Sequence, residues 1–292
     1  MKYILYFLMI LSLSGCVQKK DEPLVITTNL WVGFTPIIYA EQTGMLKNCN
    51  IKLHIVSSLG ESYRLYDSGL VSGFTGTQAE ASRAKNRDLY PVVLFDISYG
   101  ADNVVSTMSQ AELKNSGDRE ITVYYEMNTV NEIMLKYLYE HGYLKENSGK
   151  VILKNMNQDQ MANMDFGDTD SVIITYDPYT SKYMKDGLNL IVSSRHEDIL
   201  IMDALFLKKD MINRYKKDIK ILRDSSRQAL RVLNENPEKF YGVIKDYLKD
   251  QRYNEFIEST HGIKWIMEEK SDSKVILMMK NHNIPTSELL LD

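Results

Sequence analysis

Residues 24–44 read LVITTNLWVGFTPIIYAEQTG, and this stretch decides the fold. Leu24 to Asn29 is a short run with several β-branched residues, which suits a pleated strand. Thr35-Pro36 reads as an N-cap followed by proline at the first helical position, and Gly44 as the stop. The same order then repeats. Ile51 to Ser57 alternates as a second strand, with a helix around Glu61 to Ser68 that ends at Gly69. Leu70 to Phe74 is a third strand, Gln78 to Lys85 a third helix and Pro91 to Ile97 a longer apolar strand. Strands alternating with helices predict an α/β protein with a mainly parallel sheet flanked by helices.

The middle of the chain begins again in the same way. Ile121 to Tyr125 is a strand, and Thr129-x-x-Glu132 spells a capping box ahead of Met134, Leu135 and Leu138, with Gly142 closing the helix. Val151 to Leu153, Val172 to Thr175 and Leu188 to Val192 are further strands. After Asp198 the pattern turns helical: Ile219, Leu222, Ala229, Leu230 and Leu233 keep helical spacing, and Asn236-Pro237 opens another helix. Two α/β units and a helical C-terminal stretch predict two lobes.

Upstream of this, Lys2 precedes an apolar run from Tyr3 to Leu13, too short to span a bilayer. It ends in Leu13-Ser14-Gly15-Cys16, which resembles the lipobox of bacterial lipoproteins. That resemblance implies a signal peptide over residues 1–15, acylation of Cys16 and a polar tether over residues 16–23. Each buried methylene of an acyl chain contributes about 0.8 kcal/mol to membrane affinity, so two or three chains hold firmly. Cys49 is then the only free thiol, and the fold must rest on its core rather than on a disulfide. Composition is ordinary for a globular chain at 44% hydrophobic and 25% charged. A formal charge of -4 without a basic stretch gives no footprint for nucleic acid.

Several segments in order resemble the NMT1/THI5-like solute-binding proteins, which include sulfonate, nitrate and pyrimidine-precursor binders. Residues 29–36 (NLWVGFTP) are similar to the family's first strand and turn, and residues 39–46 (YAEQTGML) to its first helix. Residues 66–69 (YDSG) and 73–80 (GFTGTQAE) resemble a further shared stretch, with Gly73 where the family often has Asp. Residues 96–102 (DISYGAD) resemble the run that crosses into the second lobe, and Tyr176-Asp177-Pro178-Tyr179 the family's W-E-P segment. The resemblance implies a two-lobed type II periplasmic-binding-protein fold. Lobe 1 would hold residues 24–100 and 190–292, and lobe 2 residues 101–189. Crossings near Ser98 to Val105 and near Asp186 to Val192 would form the hinge.

In open α/β sheets ligands sit beyond the carboxyl ends of strands, where helix N-termini present free N–H groups. Three strand-to-helix turns fit: Trp31 to Thr35 after the first strand, with Gly33, Thr75 to Gln78 after the third, with Gly76 and Thr77, and Glu126 to Thr129 opening the second lobe, with Asn128. Trp31 either stacks on ligand or packs in the core, and Tyr99, Tyr176 and Tyr179 offer further aromatic walls. Thr35 and Thr129 either cap helices or border the cleft. The Thr75-Gly76-Thr77 turn either is merely tight or lets the backbone approach a ligand. Asp177 is a candidate acceptor in the segment that faces the cleft in the resembled family. Asp96 and Asp102 are acceptors or hinge residues. Helix starts suit an anion, whereas acids beside aromatics suit an amine or a nitrogen-containing ring.

No catalytic constellation appears. His196-Glu197 lacks a second histidine at position 200, and there is neither a G-x-S-x-G elbow nor a P-loop. The cysteine-rich motif of the pyrimidine synthases in the resembled superfamily is missing. The dispersed methionines read as core filling. The sequence therefore predicts a binding protein and not an enzyme, with no cofactor and no metal. It would be a monomer, anchored by lipid at the bacterial cell envelope and facing the periplasm or exterior, that delivers a small organic solute to an ABC permease. A ligand sensor partnering a membrane receptor, or a pyrimidine-precursor enzyme, are the alternatives.

Overall fold

The computed structural model describes residues 22–84, 88–145, 150–267, 273–281 and 283–284. The signal peptide, Cys16 and the tether before Glu22 lie outside the described residues. β1 (Leu24–Thr28) runs through a short 3-10 turn (Val32–Phe34) into α1 (Thr35–Gln42). Then come β2 (Ile51–Ile55), α2 (Leu59–Asp67), β3 (Gly73–Thr77), α3 (Gln78–Arg83) and β4 (Leu89–Ser98). The chain crosses over and builds β5 (Asp102–Ser106), α4 (Gln110–Lys114), β6 (Ile121–Tyr125) and α5 (Asn131–Glu140). β7 (Val151–Asn155), α6 (Gln158–Ala162), β8 (Ser171–Tyr176), α7 (Tyr179–Lys185) and β9 (Asn189–Ser193) follow. It returns in β10 (Met202–Lys208), α8 (Lys209–Arg214), α9 (Lys216–Glu235) and α10 (Pro237–Ile244). α11 (Tyr253–His261), β11 (Ile263–Trp265) and α12 (Ser273–Asn281) end the described chain.

The strands form two mixed sheets, ordered β11-β4-β10-β3-β1-β2 and β7-β6-β8-β5-β9. In the first, β1 to β4 share a direction and β10 and β11 oppose them; in the second, β5 alone opposes β6 to β9. The strand entering each sheet across the hinge, β5 or β10, is thus inserted antiparallel among parallel neighbours. Two such sheets flanked by helices are the two-lobed type II periplasmic-binding fold. Burial explains why each helix lies where it does. On α9, Ile219, Leu222, Ala229, Leu230 and Leu233 are buried. They fall on one helical stripe, and each large apolar side chain so buried contributes about 1.5–3 kcal/mol. Tyr39 of α1 stacks on Phe240 of α10 at 4.5 Å, joining the three helices against the first sheet.

Four sequence readings shift. The expected return to lobe 1 at residue 190 falls inside β9, which pairs with β5 (Val105↔Leu190, Asn103↔Ser193), so the second crossing is residues 194–201. Leu70 is 72% exposed and lies in the turn after Gly69, whose φ of +79° glycine tolerates, so β3 starts at Gly73. Thr35 lies within α1 and its hydroxyl donates back to the Val32 carbonyl at 2.6 Å, because the 3-10 turn supplies the helix start. The Thr129/Glu132 capping box does not form: α5 begins at Asn131, and Glu132 accepts instead from the Asn128 N–H at 2.7 Å. The hinge itself is tied together by Ser194, whose Oγ lies 2.7 Å from Ser98 Oγ and accepts from the Gly100 N–H at 2.8 Å.

Candidate functional site

Residues just past the carboxyl ends of lobe 1 strands meet those of lobe 2 directly. Asn29, after β1, donates through Nδ2 to the Tyr176 hydroxyl at 3.2 Å. Ser58, the N-cap of α2, donates to Glu126 Oε1 at 2.6 Å. The Tyr179 hydroxyl is shared between Asp159 Oδ1 at 2.9 Å in its own lobe and the Ser57 carbonyl across the junction at 3.2 Å. Glu80 links most. One carboxylate oxygen, Oε2, completes the capping box of its own helix α3 by accepting from the Thr77 N–H at 2.7 Å. The other, Oε1, accepts from the Val130 N–H at the start of α5 in the opposite lobe, also at 2.7 Å. The lobes are therefore closed on each other.

What lies at their junction is acidic. Glu80, Asp96, Asp102, Glu126, Asp177 and Asp203 are all buried, and among the described residues no Lys, Arg or His is. Asp96 and Asp203 sit opposite each other on β4 and β10, a like-charge pairing that a sheet tolerates poorly when both are ionised. Burial first, then the neighbouring Asp102, drives Asp96 well above the usual carboxylate range. Asp203 rises for the same first reason, reinforced by Asp96, Asp102 and Glu80. Burial pushes Asp102, Glu126 and Asp177 up to about 7 each, against hydrogen bonds from Ser98, from Ser58 and from Ser259 and Thr180 respectively. Asp96, Asp102, Glu126, Asp177 and Asp203 therefore hold their protons to higher pH than solvent-exposed carboxylates do.

Two glycines let these groups approach. A Cβ on Gly33 would sit 2.1 Å from Asp96 Oδ2 and 2.3 Å from Trp31 Nε1, and one on Gly60 would sit 2.4 Å from Glu126 Oε1. Trp31 is buried beside them and meets the Tyr176 ring edge-on at 5.6 Å, with Tyr179 edge-on to Tyr176 at 5.7 Å.

The sequence-derived site residues divide accordingly. Trp31, Gly33, Thr77, Tyr176 and Tyr179 come together at the junction. Thr129 stands beside it and turns its hydroxyl to the Glu126 carbonyl at 2.7 Å. Asp177 is buried under the hinge strands, its N–H on the Ala101 carbonyl. Thr75 gives its hydroxyl to Thr28 at 2.9 Å within the sheet, and a Cβ on Gly76 would press on the Phe74 ring at 2.9 Å, so both serve packing. Thr35 faces back into its own turn. Asn128 is exposed, with a φ of 65°. Tyr99 is 53% exposed outside the cleft, with the Arg195 guanidinium over its ring. Sequence reasoning passed over Asn29, Glu80 and Asp203, and took Glu126 only as the start of a turn. The available signal was a lone acid at the end of an apolar strand run, as in residues 121–126 (ITVYYE) or 202–207 (MDALFL).

The architecture is that of the two-lobed binding proteins. Among solved structures the chain is similar to a ligand-binding component of an ABC-type import system from Staphylococcus aureus with zinc bound, at 13% identity and a TM-score of 0.68 over 93% of this chain and 97% of that one. It is similar to the periplasmic aliphatic sulphonate binding protein SsuA of Escherichia coli at 12% identity and a TM-score of 0.66, covering 91% and 95%. The periplasmic nitrate-binding protein NrtA of Synechocystis PCC 6803 aligns at 9% identity and 0.65, covering 82% and 70%. These likenesses show the fold. No family model matches the chain, and no curated protein matches it in sequence.

Proposed function

We propose that this chain is a solute-binding protein that captures a small organic molecule between its lobes and delivers it to an ABC permease, without turning it over. The observation that carries this reading is the junction itself. A buried polar centre is assembled half from each lobe, across a hinge of only two crossings. A ligand holds such lobes shut only through contacts made in the closed state, and the groups at the junction can supply them. The S. aureus import component, the sulphonate binder and the nitrate binder share this architecture, which supports the same use here. The N-terminal segment adds a lipid anchor on Cys16, placing the protein at the cell envelope.

A thermal-shift screen of anionic, neutral and cationic solutes tests the binding role. A ligand at a hundredfold excess over its Kd adds about 2.7 kcal/mol of stability. Small-angle scattering checks that binding compacts the lobes, and recovery of the solute unchanged separates binding from turnover. If no solute of any charge class shifts the transition, the reading falls. Cys16→Ser tests the anchor: loss of acyl mass and of membrane association is expected, and an unchanged membrane fraction would remove it.

A further inference from the structure

We infer that the solute is a small organic cation, a protonated amine or amidine, received by the Glu126, Asp96 and Asp203 carboxylates beside the Trp31 and Tyr176 rings. This rests on the solute-binding reading above and names its substrate class.

Charge gives the sign. The centre contains six buried carboxyls and, among the described residues, no buried base. An uncompensated buried charge is costly, so the carboxyls stay neutral, share protons or wait for a cation that comes with the ligand.

Hydrogen bonding gives an independent reading with the same sign. A binder of anions at this place would keep the N–H groups of its strand-to-helix turns free. At the turns after the second, third and sixth strands they are occupied from within: Thr77 N and Val130 N by Glu80, Glu126 N by Asn131 Oδ1 at 2.9 Å, and Ser57 N by Glu61 at 3.0 Å. The buried atoms left without a partner around Trp31 are mostly acceptors. They are Asn29 Oδ1, Asp102 Oδ2 and Glu126 Oε2, against the donor Asn131 Nδ2, while Asp96 is engaged by the side chains of Trp31 and Asp203. Asn29 is not an acid, and it is more than nine-tenths buried at the junction. A ligand that completes this set must bring more N–H donors than acceptors.

The chemistry of the walls narrows the class. Trp31 and Tyr176 present aromatic surface beside the acids, which favours a cationic nitrogen on a flat or apolar body. Among the described residues no three Asp, Glu, His or Cys side chains converge as a metal site, and the aromatic walls suit an organic body over a bare ion.

Isothermal titration of the full chain at pH 8 with benzamidine and agmatine, against ethanesulfonate, nitrate and zinc chloride, tests this. Saturable binding of at least one of the two organic cations, and of neither anion, is expected. Glu126→Gln and Asp203→Asn remove charge at nearly constant shape, and each should weaken that cation tenfold or more while circular dichroism stays unchanged. If one variant fails to fold, the other decides. Saturable binding of ethanesulfonate or nitrate instead, of zinc alone, or of none of the five at 10-millimolar scale overturns the inference, as does unchanged cation affinity in the folded variants. Anion binding with lobe closure would leave the solute-binding reading intact, whereas failure of the whole solute screen removes both.

Discussion

The two lobes are joined in two places that differ in one property, their access to water. At the floor of the cleft, Glu80, Glu126 and Asn29 reach across to Val130, Ser58 and Tyr176 with both partners buried. At the rim, Arg83 pairs with Glu132, Lys185 with Glu255 at 3.0 Å and Lys249 with Asp159 at 2.9 Å, all partly in solvent. The floor uses buried acids with no buried base among the described residues, only the exposed Arg64 near Glu126, and the rim uses matched pairs. Opposite charges at the rim gain little over their hydrated separated state. Groups at the floor have no water to return to unless the lobes open, so each bond there is felt in both closure and stability.

The largest effect should come from Glu80, because its two oxygens serve both lobes. Glu80→Ala leaves the Thr77 N–H without its capping partner and the Val130 N–H without its cross-lobe acceptor, costing about 3 kcal/mol or more by the usual price of unmet buried donors. Chemical denaturation measures the loss, and scattering should show a more open apo form. A change under 1 kcal/mol would mean that the floor is already hydrated. Gly33→Ala follows closely. Its Cβ has no room beside Asp96 and Trp31, so a loss of about 2 kcal/mol and displacement of Trp31, read by its fluorescence, are expected.

The contrast also separates what the sequence made legible from what it concealed. The strand at residues 24–28 and the buried stripe of α9 were readable because local periodicity reports burial directly. Of the rings that meet at the junction, Trp31 stood out by its position after the first strand, and Tyr176 and Tyr179 by the resemblance of residues 176–179 to a family segment. Glu80 stood only as the last residue of the 73–80 stretch, since nothing in residues 77–80 says that its second oxygen meets residue 130. Asp96 and Asp203 lie far apart in sequence and become neighbours only through the antiparallel insertion of β10 beside β4. Tyr99 misled for the converse reason: it occupies the hinge in sequence, but the sharp Gly100 backbone, with φ of +121°, leaves it on the outside.

The floor, unlike the rim, should make the ligand-free protein more stable in mild acid. Asp102, Glu126 and Asp177 carry folded values near 7, above those of an unfolded carboxyl. The folded state therefore binds more protons than the unfolded state between about pH 4 and 7, and stability from these groups declines as pH rises through that window. The charged neighbours do not reverse this. Glu80 and Asp177 raise Asp102; at Glu126, Arg64 lowers more than Glu80 raises, but burial outweighs both. Calorimetry should find the apo Tm lower at pH 8 than at pH 5.5, on the order of 5 °C, given roughly 2–4 °C per kcal/mol in a chain of this size. A rise over that interval would show the floor ionised in the folded state.

At the rim the expected effects are smallest, and they discriminate between two sides of one ion pair. Arg83 and Glu132 keep 34% and 30% of their side-chain surface in water, so Arg83→Ala should cost less than about 1 kcal/mol, and less still at high salt. Glu132 has a second task, since its Oε1 accepts from the Asn128 N–H at 2.7 Å in the turn that leads into α5. Glu132→Ala should therefore cost more than Arg83→Ala, and the excess should persist at 1 M salt, where the pair itself is screened. Equal and fully salt-sensitive losses would assign Glu132 to the ion pair alone. A salt-resistant excess would extend to the rim the pattern set by Glu80, in which one carboxylate orders a turn with one oxygen and joins the lobes with the other.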